Sequence, residues 1–286
     1  MKVIDFRARP NIPEYAAYLR PRLEAIAAEA GRHGAYWAED ESIDEFVGAL
    51  DSAGIDRAVF VARNRSNSDD RWPLTNDVVA EMAQAYPDRL VPFGGLDLTD
   101  VPAAVDEAER CVATLGFRGV SIDPFHVGLT ADDDSLAPIY DLAETVGIAV
   151  AVTMGGMPGI RQPLRSGDPI ALDEVAQSHP DLVLIGSHSG WPFTQTMIAT
   201  AWRRPNVYFE NSFYHSAPGA GDIVEAVNNG MIERKMLYAS AYPFAPLAST
   251  LEQFRKLPFQ KESLDHVLYG NATVVLEKIG VAGGGG

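Results

Sequence analysis

The sequence predicts an α/β fold in which a single domain forms a (β/α)8, or TIM, barrel. Short runs rich in β-branched residues alternate with longer amphipathic stretches along the whole chain. Strands separated by helices pair in parallel, and eight such strands without a break in composition favour a closed barrel over an open sheet. The length of 286 residues suits one barrel domain.

The predicted strands are short and mostly apolar. They are KVIDF (2–6), RAVFVA (57–62), LVPFGGL (90–96), GVSI (119–122), AVAV (149–152), LVLIGS (182–187), VYFEN (207–211) and MLYAS (236–240). The predicted helices lie between them, at 43–54, 76–86, 101–116, 136–147, 170–179, 221–230 and 247–257. Several of these helical patterns end in glycine, which favours the left-handed backbone conformation that follows many helices.

The predicted barrel domain covers residues 1–280, and residues 281–286 form a glycine-rich tail that we expect to be disordered. No stretch resembles a linker, and the longest irregular segments are expected at 7–42 and 63–75. In barrels of this kind functional side chains follow the carboxyl ends of the strands. We therefore expect the functional site at that end of the barrel.

The composition excludes several classes of partner. The net charge is −16 and the pI is about 4.7, so nucleic acid and anionic membrane surfaces would be repelled. An anionic small molecule remains compatible, because the local field of a site can oppose the overall charge. We expect a cytoplasmic protein without a cofactor. The first residues lack a signal peptide's apolar run, and the single cysteine, Cys111, excludes an internal disulfide.

Six sequence motifs occur in the order and at the spacing of successive barrel strands. They are NDVVAEMAQAYPDRLVPFGGLDL, GFRGVSIDP, DLVLIGSHSGWP, PNVYFENS, LYASAYPF and LYGNA. Together they resemble the amidohydrolase-related family that includes aminocarboxymuconate-semialdehyde decarboxylase, resorcylate decarboxylases and pyrone-dicarboxylate lactonase. The resemblance extends from about residue 2 to 279. It implies a distorted (β/α)8 barrel with a site at the strand carboxyl ends, and it suggests a homodimer.

The chain departs from this family at the metal-binding positions. The family motifs are Asp-x-His-x-His on the first strand, His-Thr-Gly on the fifth and Gly-Ser-Asp-Tyr-Pro on the eighth. The corresponding runs here are Asp5-Phe6-Arg7-Ala8-Arg9, Thr153-Met154-Gly155 and Ala239-Ser240-Ala241-Tyr242-Pro243, whereas the sixth-strand histidine is retained as His188. Guanidinium groups only donate hydrogen bonds and repel cations. We therefore predict that no catalytic metal binds.

The predicted catalytic residues are Arg7, Arg9, His188 and Asp123. One residue separates the two arginines, so both side chains point to one face if the first strand continues through them. There they would bind a carboxylate, a phosphate or a developing oxyanion. His188 is the candidate acid–base group. Asp123 and Glu210 either orient His188 or pair with the arginines, and a purely structural role is the alternative for each of these residues.

The predicted substrate-binding residues follow several strands. They are Arg63, His126, Thr153, Trp191, Glu210, His215 and Tyr242, with Arg65, Trp37 and Trp72 as further candidates. The arginines would extend an anion site, and the aromatic rings would supply flat apolar walls for a cyclic substrate. A solvated loop position or ordinary packing is the alternative in each case.

Three functions are compatible with this pattern. The main hypothesis is a metal-independent hydrolase or lactonase that acts on a carboxylated cyclic or aromatic small molecule, with an arginine pair binding the anion. The second is a lyase, most simply a non-oxidative decarboxylase, in which His188 protonates the carbanion. The third is a protein that binds without catalysis, or a cyclase or dehydratase of a biosynthetic pathway.

Overall fold

A computed structural model describes residues 2–29, 39–62, 73–156, 162–212 and 214–282. The predicted site residues Arg63, Arg65, Trp37 and Trp72 lie outside these ranges. Within the described residues, no helix is long and apolar enough to cross a membrane.

Eight parallel strands form one sheet in sequence order, as the sequence predicts. They are β1 (Ile4–Ala8), β2 (Arg57–Val61), β3 (Leu90–Gly95), β4 (Gly119–Ile122), β5 (Ala149–Thr153), β6 (Val183–Ser187), β7 (Val207–Glu210) and β8 (Met236–Leu237). Each predicted strand agrees with an observed one to within a few residues. The largest difference is at β8, which ends three residues early at Leu237, and β1 continues two residues further to Ala8, so that it includes the first arginine.

Helices surround the sheet, and the last of them packs against the apolar cluster of the barrel interior. They are α1 (Pro13–Glu29), α2 (Ile43–Ala53), α3 (Asn76–Ala85), α4 (Val101–Ala113), α5 (Ala137–Val146), α6 (Ile170–Ser178), α7 (Thr194–Arg203), α8 (Ala220–Asn228), α9 (Leu247–Arg255), α10 (Lys261–Asp265) and α11 (Asn271–Lys278). The start of α2 illustrates the local signals. The Ser42 hydroxyl accepts the Glu45 N–H, the Glu45 carboxylate accepts the Ser42 N–H, and Gly54 follows with φ 74°.

The prediction of an irregular segment over 7–42 is wrong, because the 17-residue helix α1 lies within it. Buried Tyr15, Ala16 and Leu19 anchor its first half, whereas most of the second half is polar or exposed, so the apolar pattern is too short to predict a long helix. Helices α7, α10 and α11 were also missed.

The sheet closes between β1 and the segment that follows β8. The Phe6 N–H donates to the Tyr238 carbonyl at 2.8 Å, and the Ala241 N–H donates to the Arg7 carbonyl at 3.0 Å. An isolated parallel bridge joins Ala8 to the residue at position 242. The chain therefore forms a closed (β/α)8 barrel.

Two apolar clusters lie on opposite faces of the sheet. The larger one fills the space between strands and helices, and the smaller one fills the barrel interior with alternate strand residues such as Val59, Val91 and Ile185. Within the interior, the Phe93 ring lies against Gly119 so closely that a Cβ atom there would be 2.4 Å from the ring. Packing of the interior thus depends on glycine in β4.

Candidate active site

A bulge at the end of β1 aims Arg7 at the barrel mouth. Asp5 pairs with Ala58 and Ala8 pairs with Phe60, so β1 advances three residues while β2 advances two. The extra residue disturbs the alternation of side chains. Both Phe6 and Arg7 consequently face the barrel axis, the first against the Phe93 ring and the second across to β5 and β6.

Arg7 crosses the mouth to the opposite strands. Its Nη1 donates to the Ser187 hydroxyl at 2.9 Å, and its Nη2 donates to the Thr153 hydroxyl at 3.2 Å. Its Nε lies 3.8 Å from Oε1 of Glu210. The guanidinium is 2% exposed, and the carboxylate beside it compensates a charge that would otherwise be costly to bury.

Arg9 lies at the same end of the barrel and is also almost fully buried. Its Nε donates to the Val61 carbonyl at 2.9 Å, at the end of β2. The backbone N–H of Arg9 donates to the Tyr242 carbonyl at 3.1 Å. The two predicted arginines therefore share the mouth, and Arg9 contacts the neighbouring strand where Arg7 contacts the far strands.

The Glu210 carboxylate joins three segments of the site. Besides the Arg7 contact, Oε1 accepts the His188 N–H at 3.3 Å, and Oε2 accepts the Ser212 N–H at 2.6 Å. Glu210 is 1% exposed at the end of β7. One buried carboxylate thus fixes the end of β1, the end of β6 and the turn after β7 relative to one another.

His188 follows β6 directly and is buried at the mouth. Its Nδ1 lies 3.1 Å from the Ser212 carbonyl oxygen and 3.0 Å from the Ser212 hydroxyl. Its backbone is left-handed, with φ 66°, and Ser189 has φ 52°. Such conformations cost about 1–3 kcal/mol in a residue other than glycine and are concentrated at functional sites.

Asp5 supports the β1 bulge from below. Its Oδ1 accepts the Arg7 N–H and the Ser240 N–H, both at 3.0 Å, and so ties β1 to the closing segment. The pKa of Asp5 is raised to about 6, mainly by burial and also by the nearby Glu210 carboxylate, while hydrogen bonds from Ser240 and Arg7 oppose the rise. We therefore expect Asp5 to change its protonation near pH 6, beside the site.

An aromatic wall lies beside His188. The Tyr214 ring meets the His188 ring edge to face at 5.9 Å and stacks on Trp191 at 5.3 Å. The Tyr214 hydroxyl donates to the Gly156 carbonyl at 2.7 Å, and the Trp191 Nε1 donates to the Pro218 carbonyl at 3.1 Å. These contacts connect the loops that follow β5, β6 and β7.

Other predicted site residues have different surroundings. The Tyr242 ring stacks on Phe46 of α2 at 5.7 Å, between the barrel and the helices. His215 packs against Phe254 of α9, and burial lowers its pKa. These two predicted substrate-binding residues therefore have rings packed against α2 and α9.

Two predicted residues follow β4. Asp123 is half-buried and precedes a short 3-10 helix, Pro124–Val127. His126 lies in that helix with its ring 4.4 Å from the Phe125 ring, and its carbonyl accepts the Gln162 amide at 3.1 Å. Both residues lie at the mouth end of the barrel, in the loop after β4.

Three residues of the site were not predicted: Ser187, Ser212 and Tyr214. Ser187 directly precedes the predicted His188, and Ser212 and Tyr214 lie in the NSFYHS run after β7, which contains the predicted His215. Their location at the carboxyl ends of strands could have identified them, because hydroxyl groups at these ends can reach the mouth of a barrel. Residue type alone did not distinguish them from the other serines and tyrosines.

The mouth residues do not fit a divalent metal ion. Among the described residues, no three His, Cys, Asp or Glu side chains are grouped so that they could hold one. The Arg7 guanidinium instead lies within hydrogen-bonding distance of the Thr153 and Ser187 hydroxyls. A fixed positive charge at this point opposes cation binding.

A sequence profile of the amidohydrolase family matches residues 4–277. The chain belongs to this family. The two arginines at the end of the first strand lie within the matched residues.

Individual relatives agree with this assignment. The chain is 26% identical over 231 residues to 2-amino-3-carboxymuconate-6-semialdehyde decarboxylase of Dictyostelium discoideum, which covers 69% of this chain and 64% of the relative. It is 32% identical over 110 residues to gamma-resorcylate decarboxylase of Rhodococcus jostii, 36% of this chain and 30% of the relative. The matches thus span less than two thirds of these curated relatives.

A solved structure resembles the whole chain. An uncharacterized TIM-barrel protein from Bordetella bronchiseptica is 32% identical, with a TM-score of 0.85, and the alignment covers 98% of this chain and 100% of that one. The predicted TIM barrel is confirmed by this similarity and by the strand order.

Proposed function

We propose that the chain is a metal-independent lyase that removes the carboxylate of a cyclic or aromatic acid, with His188 as the proton donor. The arrangement that carries the proposal is the shared contact of Oε1 of Glu210 with the Arg7 guanidinium and the His188 backbone. Because this contact holds Arg7 and His188 at one barrel mouth, it supports a site in which a positive charge lies beside an acid–base group. Both named relatives are decarboxylases, which favours this reaction over the hydrolase or lactonase hypothesis.

The proposed step needs only a proton. The His188 imidazolium donates its proton to the ring carbon that bears the carboxylate. The bond from that carbon to the carboxylate then breaks, its electron pair returns to the ring, and CO2 leaves. Water reprotonates His188, so one carboxylate and one proton give the decarboxylated ring and CO2.

The arginines would stabilise charge during this step. A substrate oxygen next to the reacting carbon gains negative charge when CO2 leaves, and a preorganised cation lowers the energy of that charge. Arg7 and Arg9 are almost fully buried, so their attraction for an anion is less screened by water than at a surface. The stacked Trp191 and Tyr214 rings would pack against a flat substrate.

The test is CO2 release from a panel of hydroxylated aromatic and cyclic carboxylic acids. We expect turnover that survives chelator treatment and is not increased by added Mn²⁺ or Zn²⁺. His188→Asn should lower kcat by about 10²–10⁴-fold, because it removes the proton donor. Asparagine tolerates a left-handed backbone, so the loop conformation should persist.

The matched control is Lys256→Met, which removes an exposed ion pair with Glu252 far from the mouth and should leave kcat unchanged. Hydrolysis of lactones without CO2 release would favour the hydrolase hypothesis instead. Tight binding of these acids without any product would favour a binding protein, and product formed by ring closure or water loss would indicate a cyclase or dehydratase. Metal-dependent turnover would overturn the proposed role of the arginines.

A further inference from the structure

The His188 ring contacts two oxygen atoms of one residue through the same nitrogen. Nδ1 lies 3.1 Å from the Ser212 carbonyl oxygen and 3.0 Å from the Ser212 hydroxyl oxygen. Ser212 is fully buried, and His188 is nearly so. In such surroundings each polar atom needs a hydrogen-bond partner within the protein, because bulk water does not replace a missing one.

The carbonyl contact determines which nitrogen carries a proton. A carbonyl oxygen only accepts hydrogen bonds, so Nδ1 must be the donor at 3.1 Å. A proton on Nδ1 can be shared between the carbonyl and the hydroxyl oxygen. If the hydroxyl instead donated to an unprotonated Nδ1, the lone pair of Nδ1 would face a lone pair of the Ser212 carbonyl oxygen. The two atoms would then repel each other. The geometry is therefore satisfied only by the form of the ring with a proton on Nδ1.

Glu210 holds the Ser212 carbonyl and hydroxyl in place. Its Oε2 accepts the Ser212 N–H at 2.6 Å, while its Oε1 accepts the His188 N–H at 3.3 Å. The carboxylate thereby links the backbone of the histidine to the backbone of the serine. Because both links are buried, the ring and its two acceptor atoms form one connected unit.

We propose that Ser212 is the positioning residue of His188: its carbonyl and hydroxyl fix the proton on Nδ1, so that Nε2 is the ring nitrogen that exchanges a proton with the substrate. Glu210 maintains this arrangement by binding both backbones. The naming of Nε2 as the donor to substrate rests on the proposed lyase function. The tautomer itself is a property of the protein without substrate.

The first test is therefore made on the free protein. The chain has six histidines, and His188→Asn identifies the His188 signals in ¹⁵N-histidine NMR spectra by their loss. At alkaline pH, where an imidazole is neutral, we expect the two-bond correlations of a ring protonated on Nδ1. Correlations of a ring protonated on Nε2 would overturn the proposal, whatever reaction the protein catalyses.

The second test separates the hydroxyl from general packing. Ser212→Ala keeps the carbonyl acceptor and removes the hydroxyl, so we expect kcat to fall about fivefold, the equivalent of one hydrogen bond, with KM little changed. Ser189→Ala is the control, because this buried neighbouring hydroxyl has no hydrogen-bond partner among the described residues. Equal effects of the two variants on kcat would show that the Ser212 hydroxyl does not position the ring.

Discussion

At the scale of single residues, the mouth of this barrel is organised by contacts among buried ionisable side chains. Arg7 is compensated by Glu210, and Asp5 holds the backbone that presents Arg7. Asp5 itself has a raised pKa, because burial disfavours its carboxylate and Glu210 lies nearby. Ionisation of Asp5 therefore opposes folding even though its hydrogen bonds support the site.

This leads to a pH-dependent prediction for Asp5→Asn. The pKa of Asp5 is about 6 in the folded protein, whereas the pKa of an aspartate in an unfolded chain is about 4. Below pH of about 4 both states are protonated and wild type has no penalty. As the pH rises from about 4 to about 6, Asp5 ionises more readily in the unfolded chain than in the folded protein. The wild type therefore loses up to about 3 kcal/mol of stability. The stability of Asp5→Asn relative to wild type should rise by this amount from pH 4 to pH 7.

Urea unfolding at both pH values measures this difference. Asp77→Asn is a control of opposite sign, because hydrogen bonds from Arg110 lower the pKa of the exposed Asp77 carboxyl. Its stability relative to wild type should fall slightly over the same interval. An Asp5→Asn difference that is constant with pH would show that Asp5 titrates in the folded protein as it does in the unfolded chain.

At the scale of elements, close approach decides where glycine is required. Gly119 begins β4 and faces the Phe93 ring inside the barrel, and a Cβ atom there would lie 2.4 Å from that ring. Gly48 lies within α2, with no atom within 4 Å of the position of a Cβ. The same substitution should consequently have opposite effects at the two positions.

We expect Gly119→Ala to destabilise the protein by about 1–3 kcal/mol, because the added methyl group forces the Phe93 ring out of place. Gly48→Ala should stabilise it by about 0.5–1 kcal/mol through the higher helix propensity of alanine. Chemical denaturation of both variants provides the comparison. If Gly119→Ala were as stable as wild type, the interior would have to be less tightly packed than described.

At the scale of the whole molecule, the barrel is held unevenly around its circumference. Strands β5 and β6 pair through five residues each, from Ala149 with Val183 to Thr153 with Ser187. Strand β8 pairs with β7 through only two, and its connection to β1 relies on single hydrogen bonds. The seam next to β8 is therefore the weakest part of the barrel, and it carries Asp5 and Arg7.

Native-state hydrogen exchange should reveal this difference. We expect the amides of β5 and β6 to exchange only through global unfolding, and those of residues 236–242 to exchange through a smaller opening with weaker dependence on denaturant. Substrate that binds at the mouth should slow the second group. Equal protection around the barrel would show that the closing hydrogen bonds are as strong as a full ladder.

The sequence by itself determined the number, order and approximate limits of the strands. Buried parallel strands are continuous apolar runs, and their alternation with helices is a local pattern. Its resemblance to the amidohydrolase-related family also predicted that arginine, threonine and alanine stand at the positions of metal ligands, a comparison that needs only the residue types of matching motifs. The half-apolar helix α1 was not predicted, since much of its stability comes from packing against the barrel.

Only the tertiary structure decided which candidates meet. Arg7 and Ser187 are 180 positions apart, and the β1 bulge that turns Arg7 toward Ser187 leaves no sign in the residue pattern. The contact of Ser212 with His188 likewise depends on where β6 and β7 end relative to each other. Such contacts are determined by barrel closure and strand register, which sum many weak interactions over the whole chain, so the residues of one segment cannot reveal them.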